Sequence, residues 1–228
     1  MLTVFAGKDH SKHEYLNIWS RNMLKIWGRL NSINVQKVVW CADELALDYE
    51  RIDAGGAFGL VDSEAYRGMN PNGLIPVIED EGMVLWESNA IVRYLAARYG
   101  SGSLWPLDLQ VRANADRWMD WQTTSLQPQI GPAFKQLFRT AEAQRNMAIV
   151  NQGKLDIEAK LDVLEDHLTN NAYVAGTDFT MGDIPVGCSV DRWFKMPLTH
   201  KAHPNIARWY SQIRLRAGAQ QVVVLAAS

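Results

Sequence analysis

The sequence has 228 residues, 47% of them hydrophobic, and a formal net charge of −2. A chain of this length can bury one large core or two smaller ones, and a charge so close to zero gives no general attraction to nucleic acid or to a membrane surface. The two cysteines, Cys41 and Cys188, form no CxxC pair and no Cys/His cluster with metal-ligand spacing. This pattern argues against a disulfide framework and a zinc site. No apolar run approaches the ~18 residues of a membrane span, so we expect a soluble cytoplasmic protein. From the missing Cys/His cluster we expect that it holds no metal.

Residues 1–22 show no clear hydrophobic period and are interpreted as an extension. The first clear strand signal covers residues 24–27, and a polar loop separates it from an apolar stripe with helical spacing. Residues 49–53 are predicted to form a second strand. Two strands joined by a helix predict a βαβ unit with parallel strands. In such units ligands bind beyond the carboxyl end of the first strand, next to the start of the helix.

The segment that follows, residues 54–69, begins with Gly55, Gly56 and Gly59. Their spacing differs from the GxGxxG pattern of a dinucleotide-binding loop. We therefore expect a flexible segment that closes over a ligand.

Residues 70–97 contain a turn, two short strands and the start of a helix. The turn at 70–73 leads into the apolar run 74–78, and an acidic turn then leads into a second apolar run. Pro76 cannot donate to a sheet ladder, so we place it at a strand end. There the backbone of Ile75 can offer its polar groups to an extended ligand.

Glu87 and Ser88 stand directly before the helical pattern that contains Ile91 and Leu95. Ser88 is predicted to be the N-cap of this helix. The unsatisfied N–H groups and positive dipole end of a helix start favour a carboxylate, and Glu87 can hold an ammonium group. A strand-end proline or a capping serine taken singly is more often purely structural, but their combination suits an amino acid headgroup.

The stretch 70–97 resembles the glutathione-binding signature of the cytosolic glutathione S-transferase superfamily. The position of Ser32, described in the next paragraph, resembles that of the serine in bacterial-type members with a serine loop. The matching residues are Asn70-Pro71, Gly73, Ile75-Pro76, Glu87-Ser88, Ala90-Ile91 and Tyr94-Leu95. The resemblance implies that the peptide bond before Pro76 is cis and that the backbone of Ile75 pairs with the cysteinyl part of glutathione. It also implies that Glu87 and Ser88 bind the γ-glutamyl end. One departure is Leu74, because many members place Gln or Lys there to contact the glycyl end.

In Ser-type members of this family the residue that activates the thiol stands six positions before the valine of a basic-Val dipeptide. Here that dipeptide is Lys37-Val38, and the matching position is Ser32. Asn34 is the alternative donor to the thiolate. From the residues alone, a simple helix cap is an equally good explanation of Ser32 or Asn34. Cys41 lies inside the predicted helix and is interpreted as a small buried hydrophobic residue.

A glycine- and serine-rich linker covers residues 100–108, and the chain beyond it has helical patterns. The first long helix is expected to end near Pro128. Trp118 and Trp121 share one of its faces, which either packs in the core or forms a pocket for apolar electrophiles. Residues 180–183 have the form of a capping box, which we interpret as structural.

These observations predict an α/β thioredoxin-like domain over 23–99 and an all-α domain over 109–228, after the extension 1–22 and joined by the linker 100–108. By resemblance, the function is conjugation of the co-substrate glutathione to a small apolar electrophile, a detoxification reaction of a cytoplasmic homodimer. Two alternatives remain open. One is a glutathione-dependent disulfide-bond reductase or peroxidase that uses the same site, and the other is a non-catalytic binding module of the same fold.

Overall fold

The computed structural model describes residues 23–225, so the predicted extension 1–22 lies outside the described residues. The first half is a four-stranded sheet with the strand order β2-β1-β3-β4. Its elements are β1 (Leu24–Trp27), α1 (Ile33–Glu44), β2 (Tyr49–Ile52), α2 (Glu64–Met69), β3 (Val77–Asp80), β4 (Met83–Trp86) and α3 (Ser88–Tyr99). Strand β1 pairs parallel with β2 and antiparallel with β3, which pairs antiparallel with β4. The predicted βαβ unit followed by a ββα unit, the thioredoxin-like arrangement, is confirmed.

The second half of the described chain is helical, as predicted. Its helices are α4 (Leu109–Trp121), α5 (Gln127–Phe138), α6 (Met147–Leu168), α7 (Asp183–Phe194), α8 (Pro204–Ile213) and α9 (Gln220–Val223). Across residues 23–225, no helix is both long enough and apolar enough to cross a membrane.

Residues 54–69, expected to be a flexible segment that closes over a ligand, contain regular structure. A 3₁₀ turn at Gly56–Phe58 is followed by the short helix α2. Ser63 caps α2 by accepting a hydrogen bond from the Tyr66 N–H over 3.2 Å. The buried Tyr66 hydroxyl donates to the Leu74 carbonyl over 3.0 Å. Helix α2 therefore supports the loop that leads to Pro76.

The helix expected to end near Pro128 continues through that residue. Helix α4 runs to Trp121, and a π-helical turn, Gln122–Leu126, joins it directly to α5. Pro128 stands in the first turn of α5, where a missing N–H is tolerated. The π turn carries the Gln122 side chain into the interior, where the residue is fully buried.

One continuous core joins the two halves through α1. Trp40 of α1 stacks against Phe179, with ring centroids 6.3 Å apart. A Cβ atom added to Gly187 of α7 would lie 3.1 Å from the Trp40 ring, so the two helices approach as closely as glycine allows. Helix α1, whose first turn carries the predicted site residues, is therefore fixed by both halves of the molecule.

The predicted capping box before α7 is present in one of its two bonds, and Gly182 instead of Thr180 is the N-cap. The Asp183 carboxylate accepts hydrogen bonds from the Thr180 N–H over 2.9 Å, the Val174 N–H over 3.0 Å and the Trp209 indole N–H over 2.9 Å. The Thr180 hydroxyl in turn accepts from the Gly182 N–H over 3.3 Å. Asp183 is fully buried and links three segments of the helical half.

Candidate active site

The loop between β1 and α1 carries Ser32 and is anchored to the sheet. The Gly28 N–H donates to the Ile52 carbonyl over 2.8 Å, which continues the pairing of β1 with β2. Gly28 has φ +149°, and a Cβ atom at this position would lie 2.5 Å from the Val35 side chain. Only glycine lets the loop pass this close to α1.

Ser32 occupies the N-cap position of α1 with an extended backbone conformation, φ −84° and ψ 124°. Its carbonyl accepts from the Gln36 N–H over 2.9 Å, but its side chain makes no cap hydrogen bond. The Ser32 hydroxyl is therefore available to a ligand. A role as a side-chain cap does not explain its presence.

Asn34 and Ser88 come together from the starts of α1 and α3. The Ser88 hydroxyl donates to Asn34 Oδ1 over 3.3 Å, which leaves the Asn34 NH₂ group as a donor to the site. The prediction that Ser88 is the N-cap is off by one position: Glu87 is the N-cap, and Ser88 is the first residue of α3. The reason is that the buried Ser88 side chain bonds to α1 instead of to the N–H groups of its own helix.

Glu87 has an unusual backbone conformation, with φ +73° and ψ 108°. Positive φ is uncommon for a residue other than glycine and costs free energy that the surrounding structure must balance. The exposed Glu87 side chain makes no cap hydrogen bond. The exposed carboxylate can therefore receive a cationic group from solvent.

The Ile75–Pro76 peptide bond is cis, as predicted. Strand β3 begins only at Val77, and within residues 23–225 the Ile75 N–H and C=O groups make no hydrogen bond. The preceding Leu74 carbonyl accepts from the Asn70 side-chain amide over 2.8 Å, which fixes the loop from behind. The Ile75 backbone is thus held in place with its polar groups unpaired.

The predicted site residues lie in one region, at the carboxyl end of β1. Ser32 and Asn34 share the first turn of α1, and Ser88 touches Asn34. A Cβ atom added to Gly28 would lie 3.3 Å from Ile75 Cβ, so Ile75 packs against the loop that carries Ser32. Pro76 directly follows Ile75 in the chain, and Glu87 directly precedes Ser88.

Three arginines that the sequence analysis missed surround this loop. Arg192 of α7 donates to the Asn31 carbonyl over 3.1 Å, and its guanidinium lies 4.3 Å from the centre of the Phe134 ring. Burial lowers the pKa of Arg192 to about 10. Burial, and then the charge of Arg139, lowers the pKa of Arg29. Positive charges that repel one another at this loop favour the binding of an anion.

A fourth cation, Lys37, was noted in the sequence only as part of a dipeptide. It is 2% exposed, and its ammonium donates to Gln122 Oε1 over 2.9 Å and to the Ser88 hydroxyl over 3.5 Å. Burial is the main cause that lowers the pKa of Lys37 to about 8. The sequence pattern contains a sign of this buried lysine. Lys37 lies four residues from both Ile33 and Cys41, so it is a charged residue on the apolar face of α1.

The remaining candidates from the sequence are structural. Cys41 and Cys188 are unpaired and buried. Burial raises the pKa of the Cys41 thiol and raises that of Cys188 to about 12, so neither is a reactive thiolate. Trp118 is buried against Trp121 and His167, with ring centroids 4.9 Å and 4.7 Å away. Of the two explanations for the tryptophan face, core packing is therefore correct for Trp118.

The comparisons with known proteins agree with this geometry. Two family models match the chain, "Glutathione S-transferase, N-terminal domain" over residues 22–97 and "Glutathione S-transferase, C-terminal domain" over residues 126–216. Glutathione S-transferase GstB of Escherichia coli strain K12 is 38% identical over 208 residues, which is 90% of this chain and 100% of that protein. Glutathione S-transferase 3 of Zea mays is 30% identical over 209 residues, 88% of this chain and 93% of that protein.

Among solved structures, this fold is similar to that of a theta class glutathione S-transferase from the citrus canker pathogen Xanthomonas axonopodis pv. citri with glutathione bound. The TM-score is 0.88 and the sequence identity 42%, and the match covers 91% of this chain and 100% of that chain. Both the sequence and the fold therefore agree over nearly the whole length of these relatives. The chain belongs to the glutathione S-transferase family.

Proposed function

We propose that this chain binds glutathione at the carboxyl end of β1 and conjugates its sulfur to small electrophiles. The observation that carries the proposal is the Ser32 hydroxyl, which makes no cap hydrogen bond although it stands at the start of α1. The same loop packs through Gly28 against the Ile75 side chain, and the Ile75 backbone polar groups are also unpaired. A donor beside an open strand edge suits a cysteinyl peptide.

The two ends of the γ-glutamyl headgroup bind to different groups. The exposed carboxylate of Glu87 receives its ammonium, and Ser88 with the first N–H groups of α3 receives its carboxylate. The backbone of Ile75, presented by the bond to Pro76, pairs with the cysteinyl unit as a short added strand. The Leu74 side chain is 62% exposed and apolar, so it gives the glycyl carboxylate no polar partner.

Ser32 donates a hydrogen bond to the glutathione thiolate, and Asn34 supplies a second donor. The reactive species is the thiolate, of which an ordinary thiol of pKa ~8.5 contains only a few per cent at neutral pH. The start of α1 and the arginine cluster around Arg192 make the site positive, which favours this anion. The thiol proton leaves to solvent, the thiolate forms a bond to the electrophilic carbon, and the leaving group departs with its electron pair.

The electrophile binds beside this sulfur, on the side of the helical domain. Phe134 and Phe138 of α5 stack with their ring centroids 4.9 Å apart, and Arg192 connects Phe134 to the Ser32 loop. We propose that the partly exposed Phe138 contacts the apolar part of a small electrophile. We also propose that the protein is a homodimer in the reducing cytoplasm. Its thioredoxin-like domain covers residues 23–99 and its helical domain residues 109–228.

The test uses the purified full chain. Titration calorimetry measures glutathione affinity, and turnover is followed with a chlorodinitroarene and, separately, with a glutathione disulfide. Binding together with chloride release and arene conjugation supports the transferase. Binding with turnover of the disulfide alone indicates the reductase, and absence of both binding and turnover indicates a non-catalytic module.

A further inference from the structure

Lys37 is a buried cation without a carboxylate partner. It is 2% exposed, and within residues 23–225 it forms no ion pair. Its two polar contacts are to neutral oxygens, Gln122 Oε1 at 2.9 Å and the Ser88 hydroxyl at 3.5 Å. Burial of a charge is costly unless an opposite charge compensates it. The position of Lys37, directly behind Ser88, indicates that the compensating charge comes from the ligand.

The lysine is held in place from the helical half of the molecule. Gln122 lies on the π-helical turn, a type of turn that occurs frequently at functional sites. It is fully buried, and its amide NH₂ donates to the Ser189 hydroxyl of α7 over 2.9 Å. Because this bond orients the amide, Gln122 Oε1 faces Lys37. The ammonium is thus fixed beneath the start of α3.

The titratable groups that face Lys37 come from two elements packed against α1. Its own helix contributes none that shifts its pKa, α7 contributes Cys188 and Arg192, and the start of α3 contributes Glu87. Glu87 raises the pKa of Lys37 and Arg192 lowers it, but burial is the larger effect and brings it to about 8. Glu87 is the one carboxylate among these groups, and in the proposed complex it forms an ion pair with the ammonium of the ligand.

We propose that Lys37 is the counter-ion, acting across the Ser88 hydroxyl, of the γ-glutamyl carboxylate of bound glutathione. The inference rests on the proposed function, since it needs that carboxylate at the start of α3. Lys37 is a positioning residue: it donates to the Ser88 oxygen, and on binding the single Ser88 O–H turns from Asn34 Oδ1 to the carboxylate of the ligand. An anion bound beyond Ser88 stabilises the ammonium form, so binding at alkaline pH is linked to uptake of a proton by Lys37.

The test measures this proton with S-methylglutathione, which has no thiol to titrate. Titration calorimetry at pH 8.5, in two buffers with different ionisation enthalpies, gives the number of protons taken up on binding. If the ligand raises the pKa of Lys37 from about 8 by about one unit, wild type takes up about half a proton more than Lys37→Met or Lys37→Arg. The ammonium of the ligand contributes equally in all three proteins and is the internal control.

Affinity across pH gives a second readout. Between pH 7 and 9.5 the wild type should lose affinity more steeply than Lys37→Arg, which stays charged, and Lys37→Met should bind roughly tenfold more weakly than wild type at pH 7. Melting curves establish that the variants are folded. Wild type that binds without proton uptake overturns the inference even if no variant folds, as do equal proton counts in wild type and Lys37→Arg. Wild type that does not bind S-methylglutathione overturns the proposed function instead.

Discussion

At the scale of single residues, Ser32 is the most direct test of the chemistry. We expect Ser32→Ala to raise the pKa of the bound glutathione thiol by roughly one unit or more and to slow conjugation about tenfold at neutral pH, because the thiolate loses a hydrogen-bond donor. Thiolate absorbance of the bound peptide across pH measures the pKa. The fold should be unaffected, since the Ser32 side chain makes no cap hydrogen bond.

Asn34→Ala is the matched comparison for Ser32→Ala. Because Asn34 is the proposed second donor to the thiolate, its removal should also weaken glutathione binding. An unchanged pKa and rate in Ser32→Ala, with losses in Asn34→Ala, would make Asn34 the main donor and the assignment of Ser32 wrong.

Glu87 and Ser88 should determine affinity. A hydrogen bond to a charged group contributes roughly 1.5–3 kcal/mol, so Glu87→Gln and Ser88→Ala should each weaken glutathione binding about tenfold or more. Calorimetric titration measures this loss. Glu64→Gln, which removes an exposed acidic side chain at the start of α2, is the control and should bind like wild type. If Glu87→Gln and Ser88→Ala bind glutathione as tightly as Glu64→Gln and wild type do, the assignment of the γ-glutamyl site is wrong.

The sequence pattern predicted part of this site because the signal was local. Ile75, Glu87 and Ser88 lie next to a turn, a strand end and a helix start, and such features are visible within a few residues. Arg192 was not predictable in this way, since it reaches the Asn31 carbonyl from 161 positions away along the chain. A contact between distant segments leaves no periodic pattern around either partner.

At the scale of elements, the segment before α7 depends on Asp183. Asp183→Ala removes the acceptor of three N–H groups, including those of Val174 and Trp209. We expect the free energy of unfolding to fall by at least about 2 kcal/mol, because buried donors without partners each cost about 1–3 kcal/mol. Denaturant titration measures the loss. Asp178→Ala changes an exposed neighbour and should leave stability nearly unchanged, and equal effects of both variants would contradict a special role for Asp183.

Elements with a strong period were predicted well, and those defined by packing were not. Helix α1 and strand β1 have clear apolar patterns, and their predicted positions agree with the structure. Helix α2 is 6 residues long, too short to show a period. The π turn at Gln122–Leu126 was missed because Pro128 normally indicates a helix end, whereas here it occupies the first turn of α5.

At the scale of the whole molecule, the shared core predicts that both halves unfold together. Gly187→Ala would place a Cβ atom 2.7 Å from Ile213 and 3.1 Å from Trp40, so we expect a loss of about 1–3 kcal/mol. Gly68→Ala, in α2 where the added Cβ meets nothing within 4 Å, should instead stabilise by about 0.5–1 kcal/mol.

The measurement for this glycine pair is denaturant unfolding followed by tryptophan fluorescence and by far-ultraviolet circular dichroism. The two signals should give one coincident transition in wild type and in both variants. Separate transitions for the two signals in wild type would contradict the shared core.

The backbone of Glu87 has a consequence for the evolution of this protein. A glycine would adopt φ +73° without strain, so selection for thermal stability alone favours losing the carboxylate. Selection for use of the substrate acts in the opposite direction, since glycine cannot hold an ammonium group. Position 87 is therefore a place where robustness and activity compete, and a library of variants sorted for heat resistance without substrate should drift toward glycine there while its catalytic output declines.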